Sequence, residues 1–285
     1  MKNIIYNPLT ATPFKRNISY AEISPCEALA PYICCYWGTE SPFVQIGDES
    51  ELVIPDTCVD IIYDIDYTNN TVNGGFCGIN DCSFSTDNSR SSGHIVSVFA
   101  IRFYAWGAYA FADDSLKSTL NGYFDVGASF RWLDKIIRPK LSELKSLQEK
   151  VCFVQQVLLK KLSDVRVNTV IDDTIRNLLI NKGSIDVSEL AKESFVSARQ
   201  LERLFNEYIG ITPKKLSNLI RYQFVWHDIL CEQDFDVLNA VYKYGYADQS
   251  HLLREFKRYH GVDMHKAKMI AFEDVANIQE VFEKA

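Results

Sequence analysis

Residues 185–268 decide the fold, and two segments within them set the pattern: Ser197-Ala-Arg-Gln-Leu-Glu-Arg-Leu-Phe-Asn-Glu-Tyr-Ile-Gly210 and Asp248-Gln-Ser-His-Leu-Leu-Arg-Glu-Phe-Lys-Arg-Tyr-His-Gly261. Each opens on a side chain able to accept from free backbone N–H groups and closes on a glycine. In the first, Ser197 and Gln200 have capping-box spacing, and Leu201, Leu204, Phe205 and Tyr208 follow at helical intervals. A shorter helix precedes it, with Asp186-Val-Ser-Glu189 as its cap, Val187, Leu190 and Ala191 as its apolar face, and Ser194-Phe195 as its stop. Thr212-Pro213 then starts a long helix, proline taking the first helical position where a missing N–H costs nothing, and the pattern runs through Leu216, Ile220 and Leu230 towards Glu232. Residues 237–244 supply another short helix, Gly245-Tyr246-Ala247 a turn, and Asp248 the cap of a helix over 249–260. The reading is two helix-turn-helix units joined by one helix.

With Leu201, Leu204 and Phe205 buried, the opposite face of the first long-patterned helix carries Arg199, Gln200, Arg203 and Asn206. Such side chains reach phosphates or base edges when a helix lies in the major groove. Ser197 at its start and Lys215 just beyond its end join the expected DNA contacts, as do Gln249, Ser250, His251, Arg254 and Lys257 in the second unit. A linking helix of about twenty residues spans roughly 30 Å. That is close to the ~34 Å between successive major-groove openings on one face of B-DNA, so one chain could occupy two adjacent grooves.

These residues resemble the AraC/XylS family of bacterial transcription regulators. The resemblance rests on Leu190-Ala191, Ser197, Leu201-Glu-Arg-Leu-Phe205 and Gly210-Ile-Thr-Pro213, then on Gly245-Tyr246, Asp248-Gln-Ser-His251, Arg254-Glu-Phe-Lys257 and Gly261-Val262. It departs where Phe195 takes a turn glycine's place, where Ala240-Val241 replaces an Ile-Ala pair and where Met264 replaces a proline. The resemblance implies a sequence-specific DNA-binding regulator with double-stranded DNA and RNA polymerase as partners. It leaves a small-molecule effector and a homodimer open, and implies no cofactor.

At 285 residues, 47% of them hydrophobic and 24% charged, the chain is long enough for two domains with real cores. No charged-then-apolar leader is visible and no apolar run approaches the ~18 residues of a membrane span, so a cytoplasmic protein without membrane contact is expected. Eight cysteines, including adjacent Cys34 and Cys35, read in that setting as reduced thiols. Residues 168–270 hold 14 Lys and Arg against 14 Asp and Glu, a net charge of zero for a region expected to bind DNA. Positive charge is only local, and non-specific affinity, which grows with the phosphates neutralised, should be modest.

The first hundred residues are β-rich. Short apolar runs at 32–37, 52–54, 59–65, 76–77 and 95–103 alternate with turn signals, and an Asn-rich link at 69–75 suggests a hairpin. The fold class that follows is α+β, with an N-terminal barrel-like or sandwich-like domain carrying appended helices and a C-terminal all-α double helix-turn-helix domain. Expected boundaries are 1–165, 166–270 and an acidic tail over 271–285. Pro55-Asp-Thr-Cys-Val-Asp60, leading into Ile61-Ile-Tyr63, resembles an N-terminal sensor domain of some AraC-type regulators, with Thr57 in a glycine's place. A short helix is expected over 105–111, another segment from Asp125, and an amphipathic helix from Leu141 whose stripe is Leu144, Leu147, Val151, Val154, Leu158 and Leu162. That stripe suits either the sensor core or a dimer contact.

Enzyme signatures are missing from the sequence: no phosphate-binding loop, dinucleotide glycine pattern, nucleophile elbow or His-Glu-x-x-His. Cys77 and Cys82 lack a second pair for zinc, Pro25-Cys26 is followed by Glu27-Ala28 and not by the His-Arg of an alkyl-accepting repair site, and no metal site is expected. His251, His260 and His265 lack ligand spacing. Arg102 stands out because it interrupts the apolar strand Val98-Phe-Ala-Ile-Arg-Phe103, sharing a face with Val98 and Ala100. Beside an interior it needs a carboxylate, and Asp60 or Asp64 on a neighbouring strand is within reach. An effector site lined by Trp37 and Tyr63, with Arg102 and Asp60 or Asp64 as its polar groups, is the expectation. An enzymatic or metal-binding barrel, or a module that only dimerises, are the alternatives for this half.

Overall fold

The computed structural model describes residues 6–14, 20–44, 50–86, 93–232 and 234–273. Alternation with a period of two builds its first half. The strands are β1 (Tyr20–Ile23), β2 (Ile33–Thr39), β3 (Phe43–Val44), β4 (Leu52–Val53), β5 (Cys58–Asp66), β6 (Thr71–Cys77), β7 (Phe84–Ser85) and β8 (Ile95–Tyr104); after the short α1 (Ala105–Ala108) comes β9 (Tyr123–Asp125). A seven-stranded antiparallel sheet has the order β1-β2-β8-β5-β6-β9, with β3 also on β8, and β4 pairs with β7 in a separate two-stranded sheet. The ladder runs from β1 to β9 with no closing pair among the described residues, so the barrel or sandwich expectation reduces to an open sheet with helices.

The register sorts the side chains by face. Tyr36 opposite Ile101, and Ile101 opposite Ile61, which also faces Phe76, put the large apolar residues on one side. That side is covered by α2 (Arg131–Leu141) against β6 and α3 (Leu147–Lys161) against β1 and β2. The expected helix from Leu141 is therefore two helices. Ser146 and Glu149 form a capping box that restarts the chain at Leu147, leaving Leu144 in the connection. Leu147, Val151, Val154 and Leu158 are all buried against the sheet, which makes the stripe core. The hairpin between β5 and β6 also differs: Asp66 pairs with Thr71, Asn70 takes the left-handed conformation, and Asn73-Gly74 lies within the strand.

The second half is helical, with α4 (Thr169–Ile180), α5 (Val187–Glu193), α6 (Ala198–Tyr208), α7 (Pro213–Cys231), α8 (Val237–Lys243), α9 (Gln249–His260) and α10 (Met264–Ala271). All seven helices have a side-chain N-cap bond from an Asp, Asn, Ser or Thr, the first six from Asn168, Asp186, Ser197, Thr212, Asp236 and Asp248. Asp263 caps the last in the same way. Buried Ala271 and Phe272, the latter stacked on Phe14 at 4.9 Å, continue the fold past the expected start of the acidic tail, and residues 274–285 of that tail lie outside the described residues. Among the described residues no helix is long and apolar enough to cross a membrane.

If the stripe on α3 is core, Leu158→Ala should cost about 2–5 kcal/mol of folding stability in urea unfolding. The adjacent Leu159, 40% exposed, should tolerate alanine within about 0.5 kcal/mol.

Candidate DNA interface and effector face

α7 is the axis on which both helix-turn-helix units sit. Its nineteen residues span about 28 Å, and it packs on α6 near its start and on α9 further along. The contact to α9 is ionic at its centre: Arg221 Nη2 donates to both Glu255 oxygens at 2.7 and 2.9 Å, and Nε adds a bond of 3.2 Å. The guanidinium lies 4.0 Å from the Tyr246 ring centroid, and both charged side chains are nearly buried. Around the pair pack Tyr222, Trp226, Phe256, Tyr259 and His260. His260 shares a 2.9 Å hydrogen bond with Tyr222 through Nδ1 and is fully buried, and burial holds its imidazole down at about 4. The charge of Arg221 thus faces inward and adds nothing to a basic surface.

The expected DNA contacts divide into free and engaged residues. Ser197, Arg199, Gln200 and Arg203 on α6, and Gln249, Ser250, Arg254 and Lys257 on α9, are exposed, with Ser197 Oγ also accepting from Gln200 N. None of the four cations among them forms an ion pair among the described residues. Asn206 turns back to donate to Glu202 O at 2.8 Å, and His251 stacks edge-on against Tyr246 with Nε2 4.0 Å from Glu255. Lys215 departs furthest. Its Nζ is 2.7 Å from Asp81 Oδ2, a carboxylate of the β-rich half, which also lies 3.9 Å from Arg258. It belongs to the junction between halves because it follows the far end of α6, whereas the first turn of a recognition helix is what enters a groove.

The same far ends carry the rest of that junction. Glu207 O accepts from Leu116 N and Ser115 Oγ, both at 2.9 Å, and Tyr208 meets Tyr109 edge to face at 4.6 Å. On α7, buried Gln223 accepts from Leu9 N at 2.7 Å and donates to Leu9 O and Pro55 O, while Trp226 Nε1 donates to Thr10 O. The β-rich half thus grips both units and the helix between them from behind.

On the sheet, the face opposite the helices carries the polar cluster. Cys35 and Asp60 flank Arg102 in register, and Asp60 in turn pairs with Cys77. Arg102 Nε donates to Asp60 Oδ1 at 3.1 Å, Trp37 Nε1 donates to the same oxygen at 2.7 Å, and Asp56 Oδ2 lies 3.7 Å from Arg102 Nη1. Only 13% of the Arg102 side chain is exposed. Burial pushes the Asp56 carboxyl up to about 6, with Arg102 pulling against it and Asp60 adding to it. Asp64 shares this face but stands opposite Val98, four residues along β5 and so about 13 Å away. Tyr63 does not belong: it pairs with Phe99 on the core face and donates to Asp134 Oδ1 at 3.0 Å. Period two dictates this, since 60, 62 and 64 share a face that 63 cannot. Asp56, missed in the sequence, arrives through the turn in which Thr57 holds φ at 65°. No group of three or more potential metal ligands is gathered among the described residues, and a groove of about 400 Å³ lies elsewhere, between α8 and the start of α9.

Two capped helix-turn-helix units on one linking helix, with exposed cations along both second helices, Arg199 and Arg203 on α6 and Arg254 and Lys257 on α9, have the form of a DNA-binding domain. Residues 190–267 match the family described as a helix-turn-helix domain, and residues 21–125 match a domain of unknown function, DUF6597. The C-terminal part of the chain is therefore a helix-turn-helix domain. No curated protein sequence matches it. Among solved structures, an AraC-type regulator from Chromobacterium violaceum is 17% identical over 38% of this chain and 96% of its own, with a TM-score of 0.34. ToxT from Vibrio cholerae strain SCE256, with unsaturated fatty acid bound, is 11% identical over 90% of this chain and 97% of its own, at 0.40. ToxT from strain O395, bound to (E)-4-(8-methylnaphthalen-1-yl)but-3-enoic acid, is 12% identical over 82% and 99%, also at 0.40.

The buried His260 gives this domain a signed pH response. Its pKa is lowered on folding, so between about 6.5 and about 4 the unfolded chain binds the extra proton; the stability it allows is complete above about 6.5 and is lost as pH falls. Unfolding free energies measured across that range should fall more steeply towards acid for the wild type than for His260→Phe.

Proposed function

We propose that this regulator binds an operator through two adjacent major grooves and that a small molecule on the Arg102 face controls how the two reading helices are presented. Arg199, Gln200 and Arg203 read one groove from α6, and Gln249 and Arg254 read the other from α9, with Ser197, Ser250 and Lys257 on the flanking backbone. Units 1–165 and 166–270 act as sensor and reader, in the cytoplasm, with RNA polymerase as the partner downstream.

The observation that carries control by a ligand is the turn at residues 55–57. Asp56 faces Arg102, Pro55 O accepts from Gln223 on α7 at 2.7 Å, and Thr57 Oγ1 shares a 3.0 Å hydrogen bond with Tyr6, whose ring lies against Phe224 of α7. Any ligand that recruits Arg102 or its carboxylates therefore changes the environment of a turn that meets the linking helix twice, directly through Pro55 and, by way of Thr57, through Tyr6. A shift in the populations of two arrangements is all that control requires, provided the ligand prefers one of them. Two carboxylates against one guanidinium, with Trp37 over it, suit a neutral or cationic polar effector better than an anion, which would have to displace Asp60.

The test uses the full chain. An operator duplex is first selected from a random library, and metabolites are screened for those that raise the melting temperature, as ligands of the folded state must. Such a ligand should change operator affinity. Gln223→Ala should keep the thermal shift and lose most of that change, whereas Asp60→Asn should lose both. A ligand whose effect on DNA survives in Gln223→Ala refutes the route through the turn. In the DNA interface, Gln200→Ala should relax specificity in one half-site only, at about 1–3 kcal/mol per lost base contact, as read from binding to singly substituted operators.

A further inference from the structure

The two helix-turn-helix turns close in the same way, yet only one uses a glycine. Val196 N donates to Ala191 O at 3.0 Å after α5, and Tyr246 N donates to Val241 O at 3.0 Å after α8. This closure forces the preceding residue into the left-handed region. In the second unit that residue is Gly245, with φ at 64°; in the first it is Phe195, with φ at 55°. A side chain in this conformation is strained, and strain of this kind collects where function requires it. The Phe195 ring offers the fold nothing in return, being 96% exposed.

Its position identifies what it meets. Phe195 stands two residues before Ser197, the cap of α6, and the first turn of a recognition helix is the part that reaches base edges. The reader domain is also short of outward charge: Arg221 is spent on Glu255, and Lys215 and Arg258 lie against Asp81. With few phosphates neutralised, the ionic share of binding is small and apolar contacts weigh more. We propose that Phe195 is a DNA-contacting residue, its ring packing on the deoxyribose and thymine methyl groups at the edge of the groove that α6 enters. Apolar contact with the thymine methyl is an established element of direct readout. The inference rests on the reading of α6 as a groove-entering helix.

Phe195→Gly and Phe195→Asn in the full chain separate this role from a structural one, because both residues accept a positive φ. The probe is a duplex selected from a random library by the wild-type chain. If the wild type selects none, the DNA-binding reading itself fails, before any variant is made. Given a selected duplex, both variants should melt at or above the wild-type temperature and bind about fivefold more weakly or worse. The slope of affinity against salt should not change, because an apolar contact releases no counterions. Phe195→Tyr should retain most of the affinity. Wild-type affinity in the glycine variant overturns the proposal, including the case where transcription alone falls and the ring serves a protein partner; so does a lowered melting temperature, or a weaker salt slope.

Discussion

Arg221 and Glu255 are the charged pair on which the arrangement of the helical half depends. Taking both out of water costs several kcal/mol per ion, and only a two-pronged geometry with further contacts recovers it. Here the guanidinium meets both carboxylate oxygens, Tyr246 covers one side, and the surrounding rings of α7 and α9 exclude water. A pair so placed fixes the rotation of α9 about its own axis. That rotation puts Gln249 and Arg254 outside and Leu252 and Phe256 inside. The junction with the β-rich half uses the next positions on the same helix, Gln223 and Trp226, so α7 is shared by three bodies.

Much of the helical half was legible because its signals are local. Ser197, Thr212 and Asp248 cap within three residues of themselves, and each appears as a cap where the spacing put it. Pairings distant in sequence were not legible. Nothing around Lys215 announces Asp81, 134 residues away, and nothing around Arg221 announces Glu255. In the β-rich half, alternation along β8 left Asp60 or Asp64 as the partner of Arg102 and the register selects Asp60, but grouping Tyr63 with them ignored the same rule applied to β5. Asp56 was hidden for another reason: it is brought back onto Arg102 by Thr57 at positive φ, a conformation that a threonine does not advertise. The glycine place in the related turn was the available signal.

The helix break before α3 has a similar lesson. Leu141, Leu144 and Leu147 keep a helical interval, but Ser146 and Glu149 form a start signal within it, and a capping box outranks a continuing stripe because it satisfies backbone donors that would otherwise be lost.

The junction grips the trailing ends of α6 and α9 and leaves their leading turns clear. Residues proposed to read DNA and residues that meet the β-rich half are therefore separate sets on the same short helices. Under the proposed function, drift in Gln200 or Arg254 would retarget the protein to new promoters without disturbing its response, and drift around Arg102 would change what it responds to without moving it along the genome. Substitutions in the middle of α7 enjoy no such independence. Variation within a lineage should accordingly be sparse along Arg221, Tyr222, Gln223 and Trp226, and freer at both extremities of the molecule.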